Sequence, residues 1–158
     1  MQLIRSSSAL FLLTLSAALL AGCNPTATAP MNSNAPVLAN GKKLPVAQDT
    51  VARINVSEAK QAVDSGEAII VDVRIPNAYA QEHPKGAINL PAAETGSRVG
   101  ELPKNKLLIT SCSCPAEQSS ISASQMYKNN GYTNTAALVG GTNAWKAAGF
   151  GMSTGDKP

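Results

Sequence analysis

The chain has little with which to hold a metal ion or a disulfide scaffold. It carries one histidine, His83, and three cysteines in 158 residues. A single histidine, with no carboxylate cluster at ligand spacing, leaves no expected zinc site. Three cysteines cannot build a two-disulfide framework. Charge is also sparse, at 15% of residues with a net +3. Lysines such as Lys42, Lys60, Lys85, Lys104 and Lys128 are scattered, which argues against the basic patch that a nucleic-acid surface needs. What is present is a 44% hydrophobic composition, too apolar for a wholly disordered chain. The length suits one ordinary domain.

The longest apolar run, residues 9–21, is interrupted only by Thr14 and Ser16 and follows a lone positive residue, Arg5. It is short for a bilayer span but suits the apolar region of a secretory signal. It ends Leu20-Ala21-Gly22-Cys23. Those residues resemble the lipobox of bacterial lipoproteins, which implies cleavage before Cys23, acylation of its thiol and attachment to a membrane. Each buried methylene of such an anchor adds about 0.8 kcal/mol. By the same resemblance, Asn24 favours the periplasmic side of the outer membrane in a source with two membranes. An ordinary signal peptide with an incidental Cys23 is the plain alternative. Removal of residues 1–22 leaves 136 residues and a net +2. Residues 23–49 are rich in Pro, Ala, Thr and Asn without periodicity and read as a flexible tether. A domain over 50–153 and a short tail, 154–158, complete the expected organisation.

Within the domain, strand and helix patterns alternate. Ser57 is placed to cap a short helix with Ala59, Ala62 and Val63 on one face and Gly66 closing it. Ala68-Ile69-Ile70-Val71-Asp72-Val73 is a near-continuous apolar run, the pattern of a strand covered on both faces. Ala87-Ile88-Asn89-Leu90 and Leu107-Leu108-Ile109-Thr110 read as further strands, joined by an irregular crossover over 91–105. A helix is expected over 119–130, a strand at Ala136-Ala137-Leu138-Val139, a break at Gly140-Gly141, and a last helix over 143–148. Such alternation predicts an α/β domain with a mostly parallel central sheet flanked by helices.

Chemistry-bearing residues gather in Cys112-Ser113-Cys114-Pro115-Ala116-Glu117-Gln118-Ser119-Ser120, between a buried strand and a helix. Ligands of open parallel sheets bind at the carboxyl ends of strands. A thiol there meets backbone N–H groups and the positive end of the next helix, which favour thiolate. On spacing alone a nucleophile and its plain alternative, two small buried thiols or a modest disulfide pair, remain equal readings.

The domain is similar to the rhodanese family of sulfurtransferases over nearly its whole length. Asp72-Val73-Arg74, Tyr79, His83 and Gly86-Ala87-Ile88-Asn89-Leu90-Pro91 resemble the family's amino-proximal signature. Gly131-Tyr132-Thr133-Asn134, Gly140-Gly141, Ala144-Trp145 and Gly149-Phe150 resemble its carboxy-terminal one. The resemblance implies a three-layer domain without a cofactor. It implies Cys114 as a nucleophile that takes sulfane sulfur from a small donor as a persulfide and passes it to cyanide or a thiol, including a protein thiol. The N–H groups over 116–120 would hold the persulfide charge, although Pro115 has none to give. Ser119 and Ser120 would add hydroxyls or simply cap the helix, capping being the simpler role. The loop departs from the family pattern, with Glu117 and Ser119 where glycine and arginine are usual. A carboxylate there repels anions such as thiosulfate unless it points outward or bonds to backbone.

Cys112 has two readings, a buried strand-end thiol or a second thiol that attacks a Cys114 persulfide; the first is the simpler. Asp72 and Arg74 are expected to pair at a strand end, and His83 to tuck beside the loop between the first two strands. Two rivals stand beside the sulfurtransferase: a non-catalytic binding module on the same fold, and a thiol-disulfide or persulfide relay that uses Cys112 and Cys114 together.

Overall fold

A computed structural model describes residues 35–158. The signal segment, Cys23 and the first part of the expected tether lie outside these residues. The elements are β1 (Ala52–Ile54), α1 (Val56–Asp64), β2 (Ala68–Asp72), α2 (Pro76–Gln81), β3 (His83–Pro84), β4 (Ile88–Asn89), α3 (Thr95–Arg98), β5 (Leu107–Ser111), α4 (Gln118–Asn129), β6 (Thr135–Leu138), α5 (Gly141–Ala147) and β7 (Met152–Ser153). The central sheet has the order β1-β6-β5-β2-β4, and every neighbouring pair in it is parallel. Parallel pairing needs a crossover between strands, and helices supply it, so the sheet is covered on both faces.

Alternation along the strands divides the core in two. Ile70, Leu107 and Ile109 face α1 and α5, meeting Ala59, Ala62 and Trp145. Val71 and Leu108 face the other layer, meeting Ala123 and Tyr127 of α4 with Val99 and Leu102 of the crossover. All five residues of β5 are buried, which is why this strand is apolar throughout its first three positions. Trp145 anchors α5, and its indole N–H donates to the Gly151 carbonyl at 3.2 Å.

Three local expectations change. Asn55, not Ser57, caps α1: its side chain accepts the Glu58 N–H at 2.9 Å. This leaves Ser57 inside the first turn. Second, the packed unit starts earlier than residue 50. Leu38 and Leu44 are only 5% and 2% exposed and belong to the core, while Val46 bridges Ala52 in antiparallel fashion. The Arg53 N–H donates to the Pro45 carbonyl at 2.8 Å, so this segment covers the outer edge of β1. Prolines and small residues hid two leucines that find a hydrophobic surface. Third, the expected tail is tied down in part, because the Gly155 N–H donates to the Ala80 carbonyl at 2.7 Å. Among the described residues no helix is long and apolar enough to cross a membrane.

Candidate functional site

The carboxyl ends of β2 and β5 bring the chemistry-bearing residues together. β5 ends at Ser111, whose hydroxyl meets that of Thr142 at 2.9 Å. The next residue, Cys112, is 3% exposed and packs into the α4-side core. Its carbonyl accepts the Thr142 N–H at 2.9 Å. A Cβ on Gly141 would lie 1.9 Å from that carbonyl oxygen, and Gly141 has φ +56°. Only glycine permits this approach of α5 to the strand end.

Cys114 is extended (φ −93°, ψ 151°), the conformation favoured before a proline. Pro115 and the next two residues then form a single tight turn into α4, with Ala116 and Glu117 both at φ 52°. Left-handed backbone costs such residues of order 1–3 kcal/mol each and persists only when neighbours hold it. The holding contact is Glu117, whose carboxylate accepts the Gly140 N–H at 2.8 Å. The backbone thus engages the charge that would otherwise oppose an anion at this position.

The turn aims the start of α4 at the sulfur. The Ser119 N–H lies 3.4 Å from Cys114 Sγ, and the Cys114 N–H lies 3.4 Å from Cys112 Sγ. Helix α4 begins at Gln118 with Glu117 at its N-cap and no side-chain cap. Ser119 and Ser120 therefore sit in its first turn and do not cap it, a correction to the simpler expectation. Ser119 borders the cavity described below. The buried Ser120 hydroxyl has no protein partner, while its carbonyl accepts from Thr110 Oγ1 at 3.0 Å.

Cys112 is buried, as the simpler reading held, but it is not a free thiol. Cys112 and Cys114 are joined as a disulfide with Cα atoms 5.7 Å apart, within the usual range for such a bond. This is the disulfide pair that stood among the readings of the two cysteines.

A cavity of about 470 Å³ opens over this pair. Cys112, Ser113, Cys114 and Ser119 form one side, and Val73, Ile75, Ala78, Pro91, Ala92 and Ala93 form an apolar wall opposite. Ile75 is 65% exposed at the rim. Among the described residues Arg74 is the only cation lining the cavity, and it is committed elsewhere. Its Nε donates to Asp72 Oδ1 at 2.9 Å, its Nη2 to Asp72 Oδ2 at 2.5 Å, and Nη2 also to the Glu82 carbonyl at 2.7 Å. Asp72 is fully buried, so this bidentate pair neutralises the strand end, and the expected pairing is present.

His83 stands apart from the cavity. It is fully buried, stacked on Tyr79 with ring centroids 3.7 Å apart, and its Nδ1 donates to the Tyr79 carbonyl at 2.8 Å. Tyr79 in turn donates to the Ala87 carbonyl at 2.6 Å. Among the described residues no group of three or more His, Cys, Asp or Glu side chains is placed to hold a metal. The cavity wall contributed by α2 was not anticipated, although Pro76 at its first position is a helix-start signal.

The structure is a parallel α/β domain that presents a cysteine on a tight turn at the end of its central strand. The family described as Rhodanese-like domain matches residues 55–148, and the chain belongs to that family. Over 64 residues it is 36% identical to the thiosulfate sulfurtransferase PspE of Escherichia coli (strain K12), a match covering 40% of this chain and 62% of that protein. The thiosulfate sulfurtransferase of Pseudomonas aeruginosa superposes with a TM-score of 0.59 at 31% identity, over 68% of this chain and 21% of the larger one. The Alr3790 protein from Anabaena sp. superposes with a TM-score of 0.57 at 26% identity, over 64% and 80% of the two chains.

Proposed function

We propose that this chain is a sulfurtransferase that carries sulfane sulfur as a persulfide on Cys114 and delivers it to a thiol or to cyanide. The observation that carries the reading is the position of Cys114 Sγ, beside the Ser119 N–H and bordering the cavity at the carboxyl end of β5. A reduced Cys114 thiolate would attack the outer sulfur of a donor. The added sulfur would then lie against the first turn of α4, where N–H groups favour negative charge. The sulfurtransferase names of two relatives point the same way.

Substrate preference follows from the cavity's charge. Thiosulfate is a dianion, and the one cation lining the cavity among the described residues is held by Asp72 and the Glu82 carbonyl. A persulfide or polysulfide donor, presented by a small thiol or a protein, suits the apolar wall better. Acylation of Cys23 would place the domain on the periplasmic side of a membrane, a reading supported by the lipobox-like sequence alone.

The test is sulfur transfer to cyanide by the reduced protein with thiosulfate and with glutathione persulfide. The persulfide should be the better donor, and Cys114→Ser should abolish transfer from both. No transfer from any donor, together with no added sulfur on Cys114 by mass, would leave a non-catalytic binding module in place of the enzyme.

A further inference from the structure

We propose that Cys112 is the resolving thiol for a Cys114 persulfide, so that the chain converts sulfane sulfur to hydrogen sulfide and ends the step as the Cys112–Cys114 disulfide; this rests on Cys114 as the sulfur carrier. The disulfide places the two sulfurs on each other's path. Their surroundings differ in the way that carrier and resolver should. Cys114 is partly buried and borders the cavity, where a donor can reach it. Cys112 also borders the cavity but is 3% exposed and belongs to the core cluster of Val71, Leu108 and Ala123, so a large external thiol reaches Cys114 more readily than Cys112. Its backbone is fixed by the Thr142 N–H and by the close approach of Gly141. A thiol so held competes with thiols in solution at an effective concentration far above theirs.

The step balances without another reactant. The Cys112 thiolate attacks Cys114 Sγ, the inner sulfur of the persulfide. The Cys112–Cys114 bond forms as the bond from Sγ to the outer sulfur breaks. The outer sulfur departs as hydrosulfide and takes up the proton that Cys112 gave up. The sulfane sulfur gains two electrons, and the two thiols lose them. A dithiol reductant then restores both thiols for the next turn.

The experiment uses the full chain, reduced and freed of reductant, mixed with one equivalent of glutathione persulfide. Sulfide, free thiols and intact mass are followed for wild type, Cys112→Ser, Cys112→Ala and Cys114→Ser. The wild type should release one sulfide per chain and lose both thiols of the pair, its mass falling by two hydrogens from the reduced form. Both Cys112 variants should keep the extra sulfur and release sulfide at least about tenfold more slowly. Cys114→Ser should do neither. Because Cys112 lies in the core, the wild-type stoichiometry is decisive even if its substitution disturbs the fold. A wild-type persulfide as long-lived as that of the Cys112 variants overturns the resolving role and leaves Cys114 as carrier. No added sulfur on either Cys112 variant, with no sulfide from wild type, overturns both.

Discussion

Glu117 takes a position where a carboxylate is unfavourable for anion chemistry, yet its side chain is spent on the Gly140 N–H at 2.8 Å. It holds the second of two consecutive left-handed residues and so fixes where the first turn of α4 points. A hydrogen bond to a charged group is worth about 1.5–3 kcal/mol. If that energy orients the loop, Glu117→Ala should lower kcat/KM for sulfur transfer by about tenfold. Glu117→Gln retains an acceptor and should lose much less. Equal activity in wild type and Glu117→Ala would show that the turn stands without the clasp. Asn55 offers a plainer case away from the site. Its side chain caps α1 through the Glu58 N–H, and Asn55→Ala should cost about 1 kcal/mol in urea unfolding with no change in sulfur transfer.

At the scale of elements, the contact between α5 and the end of β5 governs the site. Gly141→Ala must seat a methyl group 1.9 Å from the Cys112 carbonyl oxygen at a positive φ. A loss of about 2–4 kcal/mol is expected in denaturant unfolding, from backbone strain and overpacking together. A midpoint unchanged from wild type would remove Gly141 as the reason for the close approach. The legibility of the sequence follows the same divide between long and short elements. β2, β5 and β6 could be read because strands buried on both faces need continuous apolar runs. β1 is three residues with Arg53 at its centre, and β3 and β7 are two each; such short pairings are set by neighbouring backbone and leave no period to detect. The cysteine loop was visible through its Pro and strand-to-helix setting. The wall of the cavity facing it was not, because Ile75, Ala78 and Ala92 are ordinary apolar residues until the fold brings them opposite Cys114. The pairing of Cys112 with Cys114 stood among the sequence alternatives, but spacing alone could not choose it over two free thiols.

For the whole molecule, the segment over residues 35–49 changes the expected division between tether and domain. Compared with a chain lacking residues 1–34, one lacking 1–49 also loses two buried leucines and has the edge of β1 uncovered. The larger deletion should cost about 3 kcal/mol or more and promote association through the bared strand. Equal unfolding midpoints for the two deletions would return this segment to the tether. Asp49 supplies a pH signature of the same docking. Burial raises its pKa, but the hydrogen bonds from Arg53 and the Val51 N–H, with the charges of Arg53 and Lys128, outweigh that and hold it below the ordinary carboxylate value. A depressed pKa in the folded state gives stability that is complete above about pH 4 and declines as pH falls further. Asp49→Asn should flatten that acid limb in unfolding measurements, and an unaltered limb would exclude Asp49 as its source.

The grip of α5 on the Cys112 carbonyl bears finally on how redox state is carried. Thr142 and Gly141 clamp the main chain behind the sulfur, so the two cysteines can join or part by turning about their side-chain bonds. Oxidised and reduced forms would then share one outline. A partner reading this molecule would distinguish them by the reactivity of Cys114 at the cavity, with no rearranged surface to announce the change.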